Sequence, residues 1–478
     1  MHIAHPLISL PVRSISPLNP LSLFPYSRCV ATTSTTDANR THLSNLERLF
    51  QKRAESPPAQ TLDRGKADPG HPLFSPLNLP FLLLSSRNQA MEEMSPRSIT
   101  RLQRLLSDSN RPSPRAAIAN RWRLYHGSAD WAGLLDPLDH HLRRELIRYG
   151  ELVQAAYVAF NSHPSPPRDG SHHIALPDQT YRVVRSLFAT SSLKPPHWAG
   201  KAAPWMTQRS SWIGYIAVCE SEGEIKRMGR RDIVIVLRGT ATCLEWVENF
   251  RTGLTPMADG KKEEEAAKVE HGFWSLFKTA GDHVPSLSSA VAEEVERLLK
   301  KYEGEELSIT VTGHSLGAAL ALLVADEVSS CSPQMPPIAV FSFGGPRVGN
   351  RGLAERVEGR RVKVLRVVNA HDVVTRVPGV LPRKDGYTHV GMELRLDSRV
   401  SPYLRPDADP ACCHDLEAYL HLVDGFLGSN CPFRSNAKRS LVRLLSQQGS
   451  NVKKLYTSKA RKLQVGATLS TDHGCIPR

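Results

Sequence analysis

Gly313, His314, Ser315, Leu316 and Gly317 form a G-x-S-x-G pentapeptide, the spacing that presents a serine hydroxyl on a sharp strand-to-helix turn. Such a hydroxyl is a weak nucleophile until a histidine takes its proton and a carboxylate fixes that histidine's tautomer. In sheets carrying this turn the partners follow in the order Ser, Asp, His. Both are therefore sought after Ser315.

Asp372 is the preferred acid. It lies just past Val362 to Val368, a β-forming run, and is followed by Val373, Val374, Val377 and Pro378, an apolar collar expected to shield the carboxylate and strengthen its hold on an imidazole. Asp385, Asp397, Asp407 and Asp409 sit in polar or Pro-containing stretches and are weaker candidates. Four histidines compete for the base. His371 adjoins the aspartate in sequence, where neighbouring side chains diverge, and His389 is expected to be held rigidly within an alternating strand, Tyr387 to Leu396. His414 precedes a helical stretch, Asp415 to Phe426, on a loop end from which an imidazole can reach both partners. His421 lies two turns up that helix and reads more naturally as a packed core histidine. His414 is preferred, with His421 the alternative.

Acyl transfer also needs two backbone donors for the oxyanion, one of them the amide after the nucleophile, here Leu316. Arg238-Gly239-Thr240, directly after the apolar run Asp232 to Leu237, suits the other, with Thr240 supplying its amide and its hydroxyl a second candidate donor. Leu244, Trp246, Val247, Phe250 and Leu254 then recur at near-helical spacing among polar residues. A core helix is the ordinary meaning of such a stripe; beside the oxyanion loop, an amphipathic lid that opens on a lipid surface is the reading adopted.

These residues require elements that hold them. Ser308 to Val311 reads as a buried strand running into the elbow, and the Ala/Leu/Val run after Gly317 as a helix. Tyr215 to Val218, Asp232 to Leu237, Ile338 to Phe343 and Val362 to Val368 are further strands; Leu142 to Phe160, Val269 to Ala280, Ser286 to Tyr302 and Gly352 to Val357 are helical. Strands alternating with helices predict an α/β fold with a mostly parallel central sheet and its active residues at strand ends.

The net charge of +14 sits in the two ends of the chain and leaves residues 116–430 close to neutral. A nucleic-acid reader would carry its positive face on the folded domain, so that class is set aside. Eight cysteines without paired C-x-x-C spacing indicate neither a disulfide framework nor a zinc site. The first acidic residue is Asp37, and the Ser- and Pro-rich leader before it reads as an organellar transit peptide, chloroplast rather than mitochondrion because arginines are few. Residues 1–115 are thus taken as transit peptide and linker, 116–430 as the folded domain, and 431–478 as a basic tail that could meet anionic lipid heads. No apolar stretch approaches the roughly 20 residues a membrane span needs.

The sequence resembles the plant class 3 lipases, and within them the chloroplast-targeted class I phospholipase A1 group. The match is carried by DWAGLLDPLD (130–139), RRDIVIVLRGT (230–240), ITVTGHSLGAALA (309–321), FSFGGPRVGN (341–350), VKVLRVVNAHDVV (362–374) and HDLEAYLHLVDGF (414–426). The resemblance implies an α/β-hydrolase without cofactor or metal that meets membrane glycerolipids peripherally and releases fatty acid from their sn-1 position, with phosphatidylcholine, galactolipids and triacylglycerol as substrates. It maps nucleophile, acid and base to Ser315, Asp372 and His414, although family members carry both histidines of the His414/His421 pair. Two other readings remain to be weighed: a non-catalytic interaction protein on a lipase scaffold, and an esterase for a soluble ester.

Overall fold

The computed structural model describes residues 117–162, 174–193, 208–241, 252–257, 266–378, 386–402 and 413–434, with positions 245, 249, 404 and 437. All belong to one contact unit, 67–478; the other, 1–66, lies outside the described residues. So do the expected leader and nearly all of the linker and basic tail.

A 23-residue helix, α1 (His140–Ser162), leads into the sheet. Asp139 starts it by accepting from the His141 and Leu142 amides at 2.8 and 3.1 Å, satisfying donors that have no intrahelical partner. Leu142, Leu146, Tyr149, Val153, Ala156 and Phe160 recur at helical spacing and are buried, so one face of the helix is committed to the sheet.

Seven strands form that sheet: β1 (Tyr181–Thr190), β2 (Ser210–Cys219), β3 (Arg231–Leu237), β6 (Leu307–His314), β7 (Ile338–Phe343), β8 (Lys363–Asn369) and β9 (Met392–Leu396), in the order β1-β2-β3-β6-β7-β8-β9. β1, β2 and β3 pair antiparallel; from β3 onward every pairing is parallel. Parallel strands need crossovers: α3 (His271–Lys278) and α4 (Leu287–Lys301) lie between β3 and β6, α5 (Leu316–Val328) between β6 and β7, and α6 (Arg351–Gly359) between β7 and β8, whereas α2 (Glu222–Met228) joins the antiparallel β2 and β3 and α7 (Leu416–Gly425) follows β9. A hairpin of β4 (Leu254–Pro256) and β5 (Lys268–Glu270) stands apart from the sheet.

Side-chain alternation divides the core into two layers. Ile233, Ile235, Leu237, Ile309, Val311 and Val340 face α3, α4 and α5; Val234, Val236, Ala339, Phe341, Leu365 and Val367 face α1 and α7. Because both faces are covered, β3 and β6 are buried along their whole length; β3 reads as a near-continuous apolar run, while β6 alternates apolar residues with the buried Ser308, Thr310 and Thr312. Nucleophile elbow, strand order and helices on both faces make this an α/β-hydrolase fold.

Some boundaries differ from expectation. Val269 and Glu270 belong to β5, and the helix begins at His271, since the segment pairs with β4 before it can coil. The strand expected from Tyr387 starts only at Met392. Leu254, read as part of the lid stripe, is in β4, whereas Leu244, Trp246, Val247 and Phe250 lie outside the described residues. No described helix is long and apolar enough to cross a membrane.

Candidate functional site

β6 runs into Ser315 and α5 leaves it at Leu316. Between them Ser315 adopts φ 58° and ψ −122°, a region costly for any residue with a Cβ. The elbow is held by its surroundings: the Ser315 amide donates to the Phe343 carbonyl at 3.0 Å. A Cβ at Gly313 would stand 2.3 Å from the Gly317 carbonyl oxygen, and one at Gly317 2.4 Å from that of Leu237. Those two glycines are therefore demanded by the neighbouring helix turn and the end of β3, as the motif's spacing predicts.

His414 sits at the end of the chain segment entering α7. Its Nε2 lies 2.8 Å from Ser315 Oγ and its Nδ1 2.7 Å from Asp372 Oδ2. Asp372, placed after β8, is fully buried and accepts two further hydrogen bonds, from the Val374 amide at 2.9 Å and the Tyr419 hydroxyl at 2.6 Å. Tyr419 also accepts from the Asn369 amide at 3.1 Å; burial and the adjacent Asp372 carboxylate push its own pKa well above the usual phenol value, so it is a fixed donor. Asn369 Nδ2 donates to the Cys413 carbonyl at 3.0 Å and so ties the base's own segment to the end of β8.

The expected apolar collar is different from what surrounds Asp372. Val373 is 41% exposed; the shield comes from Tyr419 and from Gly344, whose added Cβ would lie 3.1 Å from Asp372 Oδ2. The other histidines are elsewhere. His421 is fully buried, shares a 2.8 Å hydrogen bond with Ser401, and is driven by burial to a pKa of about 3. His371 pairs with Asp397 at 3.0 Å. His389 lies against Arg366 and Arg347, where burial and those guanidiniums lower it to about 3. Asp385, Asp407 and Asp409 are outside the described residues.

On the oxyanion side, Leu316 is the first residue of α5, so its amide has no acceptor within the helix and lies at the positive end of the dipole. The Gly239 turn abuts the nucleophile: a Cβ there would approach Ser315 Cβ to 3.0 Å. Arg238, fully buried, braces this turn. It donates to the Trp212 and Gly239 carbonyls at 2.9 and 2.7 Å and grips Glu245 through both terminal nitrogens at 3.0 and 2.9 Å. Glu245 in turn accepts from the Ala241 amide at 2.7 Å, and Thr240 Oγ1 from Asn249 at 2.8 Å. The Thr240 oxygen is thus tied to the loop as an acceptor, which leaves its amide and its O–H proton as donors. Neither the Arg238–Glu245 clamp nor Tyr419 was singled out from sequence; charges seven residues apart, and a tyrosine five residues past the base on the helix that follows it, were the available signals.

Comparison with known proteins places the chain in a family. The class 3 lipase pattern matches residues 234–381. The chain is 46% identical over 366 residues to the chloroplastic phospholipase A(1) DAD1 of Arabidopsis thaliana, covering 68% of this chain and 81% of that one. The chain belongs to the class 3 lipase family. This class 3 lipase is also 40% identical over 358 residues to the chloroplastic phospholipase A1-Igamma1 of A. thaliana (66% of this chain, 69% of that one). With the chloroplastic galactolipase DONGLE of the same plant it shares 36% over 356 residues (66% and 72%). As a class 3 lipase it is a carboxylic ester hydrolase.

Proposed function

We propose that this lipase is a serine acylhydrolase that releases the sn-1 fatty acid from phospholipids and galactolipids, with Ser315 as nucleophile, His414 as base and Asp372 as the buried acid. One observation carries the assignment of roles: the unbroken hydrogen-bonded series Ser315 Oγ, His414 Nε2, His414 Nδ1, Asp372 Oδ2. Ser315 Oγ attacks the ester carbonyl as its proton passes to His414 Nε2, and the resulting oxyanion is held by the Leu316 and Thr240 amides. His414 then gives the proton to the leaving lysolipid alkoxide. Water repeats the sequence on the acyl-enzyme, freeing the fatty acid and restoring Ser315. Each oxyanion donor is worth about 2.7 to 4 kcal/mol of barrier.

The relatives' names support the substrate classes and a plastid location, and the lipid surface is met peripherally. We assign the boundaries accordingly: residues 1–115 leader and linker, 116–430 the catalytic domain, 431–478 a basic tail. An intact set of reacting groups argues against a non-catalytic role. The decisive measurement uses vesicles of phosphatidylcholine and of monogalactosyldiacylglycerol. The wild-type enzyme is expected to release free fatty acid and the 2-acyl lysolipid, with a rate that rises as substrate passes from monomer to vesicle, while Ser315→Ala loses on the order of 10⁵- to 10⁶-fold in kcat. Full activity in Ser315→Ala removes the serine from the reaction; a soluble ester turned over without any rise at the interface redirects the substrate assignment.

A further inference from the structure

His314, the second residue of the elbow pentapeptide, takes no part in the reaction just described, yet it is buried at 5% exposure directly behind the nucleophile. Both of its ring nitrogens are engaged. Nε2 lies 2.8 Å from the main-chain carbonyl oxygen of His414, and Nδ1 lies 2.8 Å from the Tyr157 hydroxyl. A carbonyl only accepts, so Nε2 carries the proton, Nδ1 is the acceptor, and Tyr157 donates to it. The Tyr157 oxygen in turn accepts the Gly239 amide at 2.8 Å. Every direction in the series is fixed: Gly239 N–H to Tyr157 O–H, Tyr157 to His314 Nδ1, His314 Nε2–H to the carbonyl of His414.

The two ends of this series are the two halves of the site. Gly239 immediately precedes Thr240, the second oxyanion donor, and the far carbonyl belongs to the base. We infer that His314 is a positioning residue, locked as the neutral Nε2–H tautomer, which holds the His414 backbone in register with the Ser315 elbow and ties that register, through Tyr157, to the oxyanion turn. The inference rests on the roles proposed above for Ser315 and His414.

Three features support it. The hydrogen bond to His414 reaches its backbone and not its ring, so it sets where the imidazole is anchored while leaving Nε2 and Nδ1 of His414 to Ser315 and Asp372. A Cβ at Gly239 would fall 2.2 Å from the Tyr157 oxygen and 2.9 Å from the His314 carbonyl oxygen, so the glycine of R-G-T is required for the relay to close. Finally, the groups facing His314 are the His414 ring, with centroids 4.7 Å apart, the Tyr157 hydroxyl and the edge of Tyr419, none of them anionic. Burial and His414 accordingly lower the His314 pKa well below the usual imidazole value, which keeps it neutral when His414 becomes an imidazolium.

The test compares His314→Leu, His314→Gln and Tyr157→Phe in the full chain by kcat and KM on vesicles, by melting temperature, and by the second-order rate at which an alkyl fluorophosphonate modifies Ser315 with loss of fluoride. Misplacement of a reacting group by about 1 Å costs on the order of 100-fold. His314→Leu is expected to lose about that factor in both kcat and labelling rate with KM within about twofold, because binding surfaces are untouched. Glutamine offers a donor and an acceptor at similar reach and is expected to restore the labelling rate to within about fivefold. Tyr157→Phe is expected to cost about tenfold, and it decides the matter should His314→Leu not fold. A labelling rate in His314→Leu or Tyr157→Phe equal to the wild type, or His314→Gln no better than His314→Leu, overturns the inference. A wild-type enzyme that the phosphonate does not label overturns the Ser315 assignment instead, so the two failures are distinct.

Discussion

Two buried carboxylates sit at opposite ends of the central sheet, and their company differs. Asp232 stands at the start of β3, accepting from Ser308, Thr310, Tyr149 and Tyr181 at 2.7 to 3.0 Å. Burial pushes its carboxyl upward, but the Arg230 and Arg148 guanidiniums prevail and hold it below the ordinary range; Glu145 pairs with Arg148 beside it. Asp372, past the end of β8, is equally buried, yet its partners are a phenol, a backbone amide and an imidazole. A carboxylate neutralised by guanidinium has no proton to manage and serves as a fixed counter-ion. One faced by an imidazole stabilises a charge that appears only during the reaction. The partner, more than the burial, decides what a buried acid can do.

That contrast is open to direct attack. The largest separation is expected from the isosteric pair Asp372→Asn and Asp232→Asn. The first should lower kcat by about 10⁴-fold, as loss of the correct histidine tautomer does, with little change in the unfolding midpoint. The second should leave turnover per folded molecule close to wild type while removing about 3 to 5 kcal/mol of stability, because two guanidiniums lose their shared counter-charge. Denaturant titration alongside kinetics separates them, and equal loss of turnover in both variants would erase the distinction.

A smaller effect concerns pH. His126 shares a hydrogen bond with Thr310 at 3.1 Å beside Asp232, and burial, followed by Arg230, lowers its pKa to about 3. Its folded pKa lies below the unfolded one near 6.5, so the unfolded chain takes up a proton that the folded chain refuses. The associated stability is full above pH 6.5 and drains away as pH falls toward 3. Between pH 7 and 5 this amounts to about 2 kcal/mol, and His126→Gln is expected to flatten the stability-against-pH curve over that interval as read by urea midpoints. An unchanged slope would remove His126 from the account.

The smallest expected effect is that of Tyr419→Phe. Deleting one of three donors to Asp372 should reduce kcat by about tenfold at nearly constant KM. The corresponding deletion at the other end, Tyr181→Phe, should leave kcat alone, and a matched loss in both would argue that phenols play the same part at each site.

What could be read from the chain followed from distance. Ser315, Asp372 and His414 were singled out because each sits at the junction of a strand or loop with the next element, and strand ends are visible as the places where an apolar run stops. The burial of β3 was equally open to reading, since Asp232 to Leu237 is an almost continuous apolar run, whereas β6 alternates apolar residues with Ser308, Thr310 and Thr312. Tyr157 was not. It lies 82 residues from Gly239 and 157 from His314, on a helix whose apolar stripe gave no hint that a part-buried neighbour points at the elbow. Glu245 is one of the polar residues interleaved with the stripe read as a lid, and its bidentate grip on Arg238 emerges only once the turn folds back on itself. Local pattern reveals what an element is; it does not say which remote polar groups will be shut in together.

The backbone of Ser315 carries one last implication. Its left-handed conformation costs about 1 to 3 kcal/mol, a sum that a glycine at the same position would recover. Heat tolerance and turnover therefore pull against each other at this one residue. A lineage pressed only to survive higher temperatures would gain most easily by relaxing the bend that gives the enzyme its reactivity, and any thermostabilised descendant that keeps its chemistry must find its extra stability somewhere else.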